Sequence, residues 1–160
     1  MITKNTLIRF NVLESAEPII HRVLMINQEL NVIITINVFD EKAWPEIHGY
    51  DEIASMLIEN STQIIPEEPF AKKLALKESD LSPKQSRNRD KAYSTIEILI
   101  LEHEVELFQK SRRGKLVKKA AQDFNCTETD IRRRLRRYWQ RGMVINALIP
   151  DYENSGAPGQ

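Results

Sequence analysis

The sequence predicts an α+β fold, in which a small β-rich N-terminal domain precedes an all-α helix-turn-helix domain. Apolar residues mostly alternate with polar ones over the first 70 residues, whereas after Asp90 they recur every three or four positions. The charge changes sign as well: residues 1–80 hold 7 Lys/Arg against 13 Asp/Glu, and residues 81–141 hold 16 against 8. Two modules are expected, the second facing a polyanion. The alternative is two solvated surfaces that differ in sign.

Three strands are expected first, over residues 7–13, 19–26 and 32–38, because apolar residues there alternate or run continuously. Residues 43–49 resemble a connection. Residues 50–60 have helical spacing, and residues 62–65 return as a strand. The β-rich domain is therefore assigned to residues 1–75. The polar stretch that follows predicts a linker over residues 76–89, which would let the two domains move independently.

Three helices are expected in the second domain, residues 90–142, and the turn between the last two carries a helix-turn-helix signature. Paired alanines at residues 120–121 permit close helix packing. Asn125 tolerates the left-handed backbone that the turn requires, and Cys126 is a small apolar plug. Thr127 is a good N-cap, and Asp130 follows three residues later as in a capping box.

The third helix has two dissimilar faces when its residues are placed at about 100° per residue. Its apolar arc holds Ile131, Leu135, Tyr138 and Trp139. Residues 132–137 include five arginines, which repel one another unless an anion neutralises them. Arginine pairs with guanine or phosphate, so this helix is the predicted major-groove reader. The alternative is a solvated arginine-rich helix. The predicted DNA-binding residues on this helix and its cap are Thr127, Thr129, Arg132, Arg133, Arg136, Arg137 and Gln140.

The preceding helix adds Lys115, Lys118 and Lys119 as predicted DNA-binding residues, because this helix crosses the phosphate backbone in such motifs. Solvated charge is an equally good interpretation of these lysines.

No catalytic residue and no metal site are predicted within the chain. The histidines at 21, 48 and 103 are isolated and, even with Cys126, lack zinc-ligand spacing. No cofactor is therefore expected. The single cysteine suits a reducing compartment, and no apolar run spans a bilayer, so a cytoplasmic location is expected.

The runs RRYWQRG at residues 136–142, NALIPDY at 146–152 and NSGAPG at 154–159 resemble the TnsB family. These are DDE transposases of multi-subunit cut-and-paste transposons, some of them CRISPR-associated, and they are related to Mu transposase. The resemblance implies recognition of repeated sites in transposon ends. It also implies a downstream Mg²⁺-dependent catalytic domain beyond residue 160, with residues 143–160 as the linker towards it. A TnsC-like AAA+ regulator and a TnsA-like endonuclease are the implied partners of the whole protein.

The expected function is therefore sequence-specific binding of duplex DNA at transposon ends by the N-terminal part of a TnsB-like transposase. A transcriptional regulator with residues 1–70 as a sensor or dimerisation domain is the alternative. A third possibility gives the acidic half a protein-docking role.

Overall fold

The computed structural model describes residues 1–11 and 17–151. Its N-terminal part is a five-stranded antiparallel sheet in the order β4-β3-β2-β1-β5. The strands are β1 (Leu7–Phe10), β2 (Ile19–Asn27), β3 (Val32–Asn37), β4 (Glu46–His48) and β5 (Thr62–Ile65). The predicted strands are confirmed, although residues 12 and 13 of the first lie outside the described residues. Residues 43–49, expected to be a connection, include β4.

A different layer covers each face of the sheet. Successive side chains in a strand point to opposite sides, so each strand can contribute to both layers. One layer is helix α1 (Tyr50–Ile58), which confirms the helix predicted there. Its Ile53 packs with Val23 and Ile33 of the sheet. On the opposite face, Leu24 and Ile36 enter a second core formed with the C-terminal helices. Both faces are therefore apolar, which explains the nearly continuous apolar runs of β2 and β3.

The C-terminal helices are α3 (Pro83–Leu107), which has a kink at His103, α4 (Lys110–Asp123) and α5 (Glu128–Gln140). They follow a short helix, α2 (Ala71–Leu74), and a 3₁₀ turn (Glu78–Asp80). Among residues 1–11 and 17–151, no helix has both the length and the apolar character needed to cross a bilayer.

The prediction of a linker over residues 76–89 is wrong from residue 83 onwards, because helix α3 begins at Pro83. Ser82 caps this helix, since its hydroxyl accepts a hydrogen bond from the Gln85 amide at 3.1 Å, while the Gln85 side chain returns to the Ser82 amide at 2.9 Å. Proline suits the first helical position. Polar composition alone indicated a linker, but these residues start a helix whose first turns are solvated.

The prediction of a linker over residues 143–160 is also wrong in the part that the structure describes. After Gly142 (φ +118°) the chain turns back and forms a 3₁₀ helix (Ile145–Leu148). Ala147, Leu148 and Ile149 are buried there. Residues 152–160 lie outside the described part of the chain. Residues 143–149 therefore belong to the folded core.

Polar contacts also join the sheet to helix α5. Arg22 of β2 is 1% exposed; its Nε donates to the Gln140 carbonyl at 3.2 Å, and its guanidinium binds both carboxylate oxygens of Glu68 at 2.7 and 2.8 Å. The Gln140 amide donates to the carbonyls of Asn37 and Asp40, at 2.9 and 2.7 Å. The prediction that the two domains move independently is therefore wrong, because they share a core and a buried polar interface.

Candidate nucleic-acid interface

Helices α4 and α5 follow each other across a short turn, in the segment predicted as a helix-turn-helix. Asn125 has φ +52°, the left-handed conformation expected at this turn. The Thr127 hydroxyl accepts a hydrogen bond from the Asp130 amide at 3.0 Å, which confirms the N-cap. The Asp130 carboxylate binds Arg133 at 2.8 Å. The paired alanines 120 and 121 are buried where the two helices approach each other.

The two faces of α5 are separated as the sequence predicts. Its apolar arc is almost completely buried, comprising Ile131, Leu135, Tyr138 and Trp139. The opposite side borders an open groove of about 470 Å³. Eight residues line this groove: Glu41, Thr129, Arg132, Arg133, Arg136, Arg137, Gln140 and Arg141. The structure thus brings six predicted residues together and adds Glu41 and Arg141.

Arg132 and Arg133, in the first half of α5, have partly exposed side chains and pair with acids of their own helix, whereas Arg134 donates to the Thr95 hydroxyl at 3.2 Å. Arg132 binds Glu128 at 3.0 Å, and Arg133 binds Asp130 at 2.8 Å. The arginine side chains are 42% and 52% exposed. Such surface pairs contribute about 0–1 kcal/mol, so they exchange readily for another anion. This half of the helix is available to a ligand.

The second half of α5 is held by the sheet domain. Arg136 donates to the Ala43 carbonyl at 2.7 Å, and its guanidinium lies 4.7 Å from the ring centroid of Trp44. Gln140 is buried and engaged with the two carbonyls described above. The amide nitrogen of Gln140 thus already spans the domain interface, and its contact with DNA stays a prediction. Arg136 has a structural contact that the helical wheel did not reveal.

Burial and the charges of arginines in the first half of the helix disfavour the charged forms of Arg136 and Arg137. Burial, and then the positive charge of Arg133, lower the pKa of Arg137. Burial lowers the pKa of Arg136 as well, and the charge of Arg132 acts in the same direction, although Asp40 opposes it. The groove therefore holds more positive charge than its own acids balance, and an anion entering it would be attracted.

Two of the groove arginines, Arg137 and Arg141, contact Asp151 in the C-terminal segment. Arg141 binds both oxygens of Asp151, at 3.0 and 3.2 Å, and Arg137 lies 3.6 Å from the same carboxylate. Lys73 also contacts Asp151. Neither Asp151 nor Arg141 was identified as a site residue from the sequence, because the contact between their side chains depends on the turn at Gly142. Arg133, by contrast, is not bound by Asp151 in the contacts of the described residues.

The predicted phosphate contacts lie on the exposed side of α4. Lys115 and Lys118 are exposed, and Lys119 is exposed and pairs with Asp123 at 3.0 Å. Lys118 and Thr127 border a second open concavity beside the turn. The position of the lysines suits a backbone contact, whereas the hydroxyl of Thr127 is already used as the N-cap.

The sheet also changes one sequence-based conclusion about histidines. His21 and His48 are not isolated: their side chains converge with Glu46 on one face of the sheet. They are 27 positions apart in the sequence, so no linear spacing indicated this.

Comparison with known proteins supports the same two-part organisation. The model of the TnsB N-terminal SH3-like domain matches residues 1–69, and that of the TnsB second domain matches residues 89–152. The chain belongs to the TnsB family. It is 29% identical over 140 residues to the transposon Tn7 transposition protein TnsB of Escherichia coli. The match covers 88% of this chain and 19% of that relative's length. For its TnsB domains, family membership implies a DNA-binding role in transposition.

Proposed function

We propose that this chain binds duplex DNA sequence-specifically at transposon ends, with helix α5 in the major groove. The observation that carries the proposal is the groove along the outer face of α5, which collects five arginine side chains from residues 132–141. An α-helix fits the major groove, and arginine reads guanine there by a bidentate hydrogen bond.

The first half of α5 is the proposed base-reading segment. In helix-turn-helix proteins, residues near the N-terminus of the recognition helix contact base edges. Thr129, Arg132 and Arg133 occupy that position and line the groove. Arg133 is the strongest candidate, because its half-exposed side chain has only a surface ion pair to give up.

The remaining basic residues are proposed to bind phosphates or to support the reading helix. Lys115, Lys118 and Lys119 extend from α4, the helix that crosses the backbone in this motif. Arg137 lines the groove, where burial and then the charge of Arg133 lower its pKa, so a phosphate there would stabilise its charged form. Arg136 is proposed to act mainly as a support, since Ala43 and Trp44 hold it.

For the whole protein, we propose cut-and-paste transposition by a Mg²⁺-dependent DDE catalytic domain beyond this chain. A TnsC-like regulator and a TnsA-like endonuclease remain its proposed partners, and a cytoplasmic location its proposed site of action. The family resemblance supports these proposals, and the part of the chain described here supplies the DNA-binding component.

The test is a competition titration by fluorescence anisotropy, with transposon-end duplex and a shuffled duplex of equal length, at several salt concentrations. The wild-type chain is expected to prefer the end duplex. Arg133→Ala should reduce that preference by about 1–3 kcal/mol, or roughly 5- to 150-fold. Lys118→Ala should weaken binding to both duplexes alike and lower the salt slope by roughly one unit.

Arg87→Ala is the charge-matched control, because Arg87 is exposed on α3 and does not line the groove. It should leave the preference unchanged. Equal wild-type affinity for both duplexes would refute specific end binding, and a loss of preference in Lys118→Ala rather than Arg133→Ala would show that the roles of the two helices are exchanged.

A further inference from the structure

A second group of functional side chains lies in the sheet domain, away from the arginine groove. His21 of β2 and Glu46 and His48 of β4 each direct one ligand atom to a common point, and these three atoms lie within 4.8 Å of one another. Glu46 and His48 are two residues apart in one strand, so their side chains leave the same face. The register places Glu46 opposite Thr35 of β3, whose other neighbour in the sheet is Val23 of β2.

We propose that His21, Glu46 and His48 form a binding site for a divalent transition-metal ion of the zinc class. Two imidazoles and one carboxylate form a common zinc ligand set, with water in the fourth position. Calcium and magnesium prefer sites made of oxygen alone, so they fit this set poorly.

The distances are close to those that such an ion requires. His48 Nε2 lies 3.5 Å from Glu46 Oε1, and His21 Nε2 lies 3.9 Å from Glu46 Oε2. Ligand atoms about 2.0–2.1 Å from a tetrahedral zinc ion are about 3.3 Å apart. All three ligand atoms lie within 4.8 Å of one another, so rotations of the side chains would bring them to this spacing.

The hydrogen bond of His21 leaves the correct nitrogen of that ring free. His21 Nδ1 lies 2.8 Å from the Thr35 hydroxyl, and this bond orients the ring with Nε2 towards Glu46. Metal-bound histidines are usually oriented by such a bond at their second nitrogen. His48 Nε2 is shielded from solvent and has no hydrogen-bond partner among the described residues. A buried nitrogen without a partner is costly in a folded protein, and a metal ion would satisfy it.

The surroundings of His21 also favour metal binding. Its ring is buried and packs edge-on against Phe10, with ring centroids 4.9 Å apart. Glu46 is half exposed, which provides a path for the ion from solvent.

Such an ion would stabilise the part of the sheet domain that lies next to the arginine groove. Strand β4 has three residues and pairs only with β3 among the described strands. The ion would tie β4 to β2, two strands away. The loop that leads into β4 carries Ala43 and Trp44, which hold Arg136. The site therefore connects metal binding in the sheet domain to the position of the groove in α5.

The test is a calorimetric titration of the tag-free chain with Zn²⁺ alone. One ion per chain is expected to bind, and the unfolding temperature should rise with it, because a ligand that binds only the native state stabilises it. His48→Gln and Glu46→Gln should each weaken binding by about tenfold or more. Both residues lie on an edge strand and are at least partly exposed, so these variants should still fold.

His103→Gln is the matched control, because His103 pairs with Glu106 on α3 and does not belong to the cluster. It should bind Zn²⁺ as the wild type does. Substitution of Co²⁺ should give tetrahedral absorption bands without a thiolate charge-transfer band, which separates this site from binding at Cys126. Absence of saturable binding, a thiolate band, or full binding in both cluster variants would overturn the proposal.

Discussion

The two halves of the outer face of α5 carry the same residue type in different surroundings. Arg132 and Arg133 lie in the first half, exposed and paired with acids of their own helix. Arg136 and Gln140 lie in the second half, where the sheet domain binds them. One stripe of polar residues therefore serves two purposes: its beginning is free to meet a ligand, and its end fixes the helix on a second domain.

The comparison teaches that position on a helical wheel does not decide function. Arg133 and Arg136 point away from the buried arc, and both predict DNA contact from the sequence. What separates them is a partner that lies 93 residues away from Arg136, the carbonyl of Ala43. The comparison can be tested by removing the sheet domain, the link between Arg22 and Gln140, or individual side chains of α5.

Removing residues 1–75 is expected to have the largest effect. The truncated chain would lose Leu24 and Ile36, which share a core with Trp139 of α5. It should lose its cooperative thermal transition, because the apolar side of the second half of α5 would meet water. Near-ultraviolet circular dichroism and tryptophan fluorescence measure this. A transition as sharp as that of the full chain would show that the helices fold alone and that the comparison fails.

Arg22→Met removes the buried link between β2 and the end of α5. The free energy of unfolding should fall by about 2–4 kcal/mol, because Glu68 and the Gln140 carbonyl lose a buried charged partner. Urea denaturation provides the measurement. Arg9→Met is the matched control on β1, where the arginine binds the exposed Gln63, and its effect should stay within about 0.5 kcal/mol. Equal losses would mean that the link contributes little.

Arg136→Ala and Arg133→Ala compare the two halves directly. Arg136→Ala should lower the free energy of unfolding by about 1–2 kcal/mol, since it removes a hydrogen bond to Ala43 and the contact with Trp44. Arg133→Ala should change it by less than about 0.5 kcal/mol. Selectivity for the transposon-end duplex should instead fall more in Arg133→Ala than in Arg136→Ala. If both variants behaved alike in both assays, the division of the helix would be wrong.

Thr127→Ala tests the start of α5 and should lower the free energy of unfolding by about 1 kcal/mol, because it removes the N-cap hydrogen bond. Thr127→Ser should restore stability. Thr129→Ala, on the exposed side of the next turn, should have almost no effect on unfolding. A similar loss in both alanine variants would indicate that the cap does not stabilise the helix.

Local chemistry in the sequence predicted the parts of the molecule that depend on near neighbours. The buried arc of α5, the cap at Thr127 and the left-handed Asn125 all follow from residues a few positions apart, and the structure confirms them. Strand β4 was missed because three residues are too few to establish a period. The start of α3 at Pro83 was missed because its solvated turns have the composition of a linker.

Features that depend on distant residues could not be predicted in this way. The contacts of Gln140 with the carbonyls of Asn37 and Asp40 were missed, because nothing near it in the sequence indicates them. His21 and His48 meet only because β2 and β4 flank β3 in the sheet. In both cases the topology of the fold decides which groups become neighbours.

The link between Arg22 and Gln140 also bears on the order in which the molecule folds. It joins residues 118 positions apart, whereas the helix-turn-helix is built from contacts within one short segment. Closing a long loop costs entropy before any contact offsets it, so local helical contacts form early and this link forms late. Arg22→Met should therefore speed unfolding and leave the refolding rate nearly unchanged in stopped-flow experiments. A slower refolding rate would place the docking of the sheet on α5 within the folding nucleus.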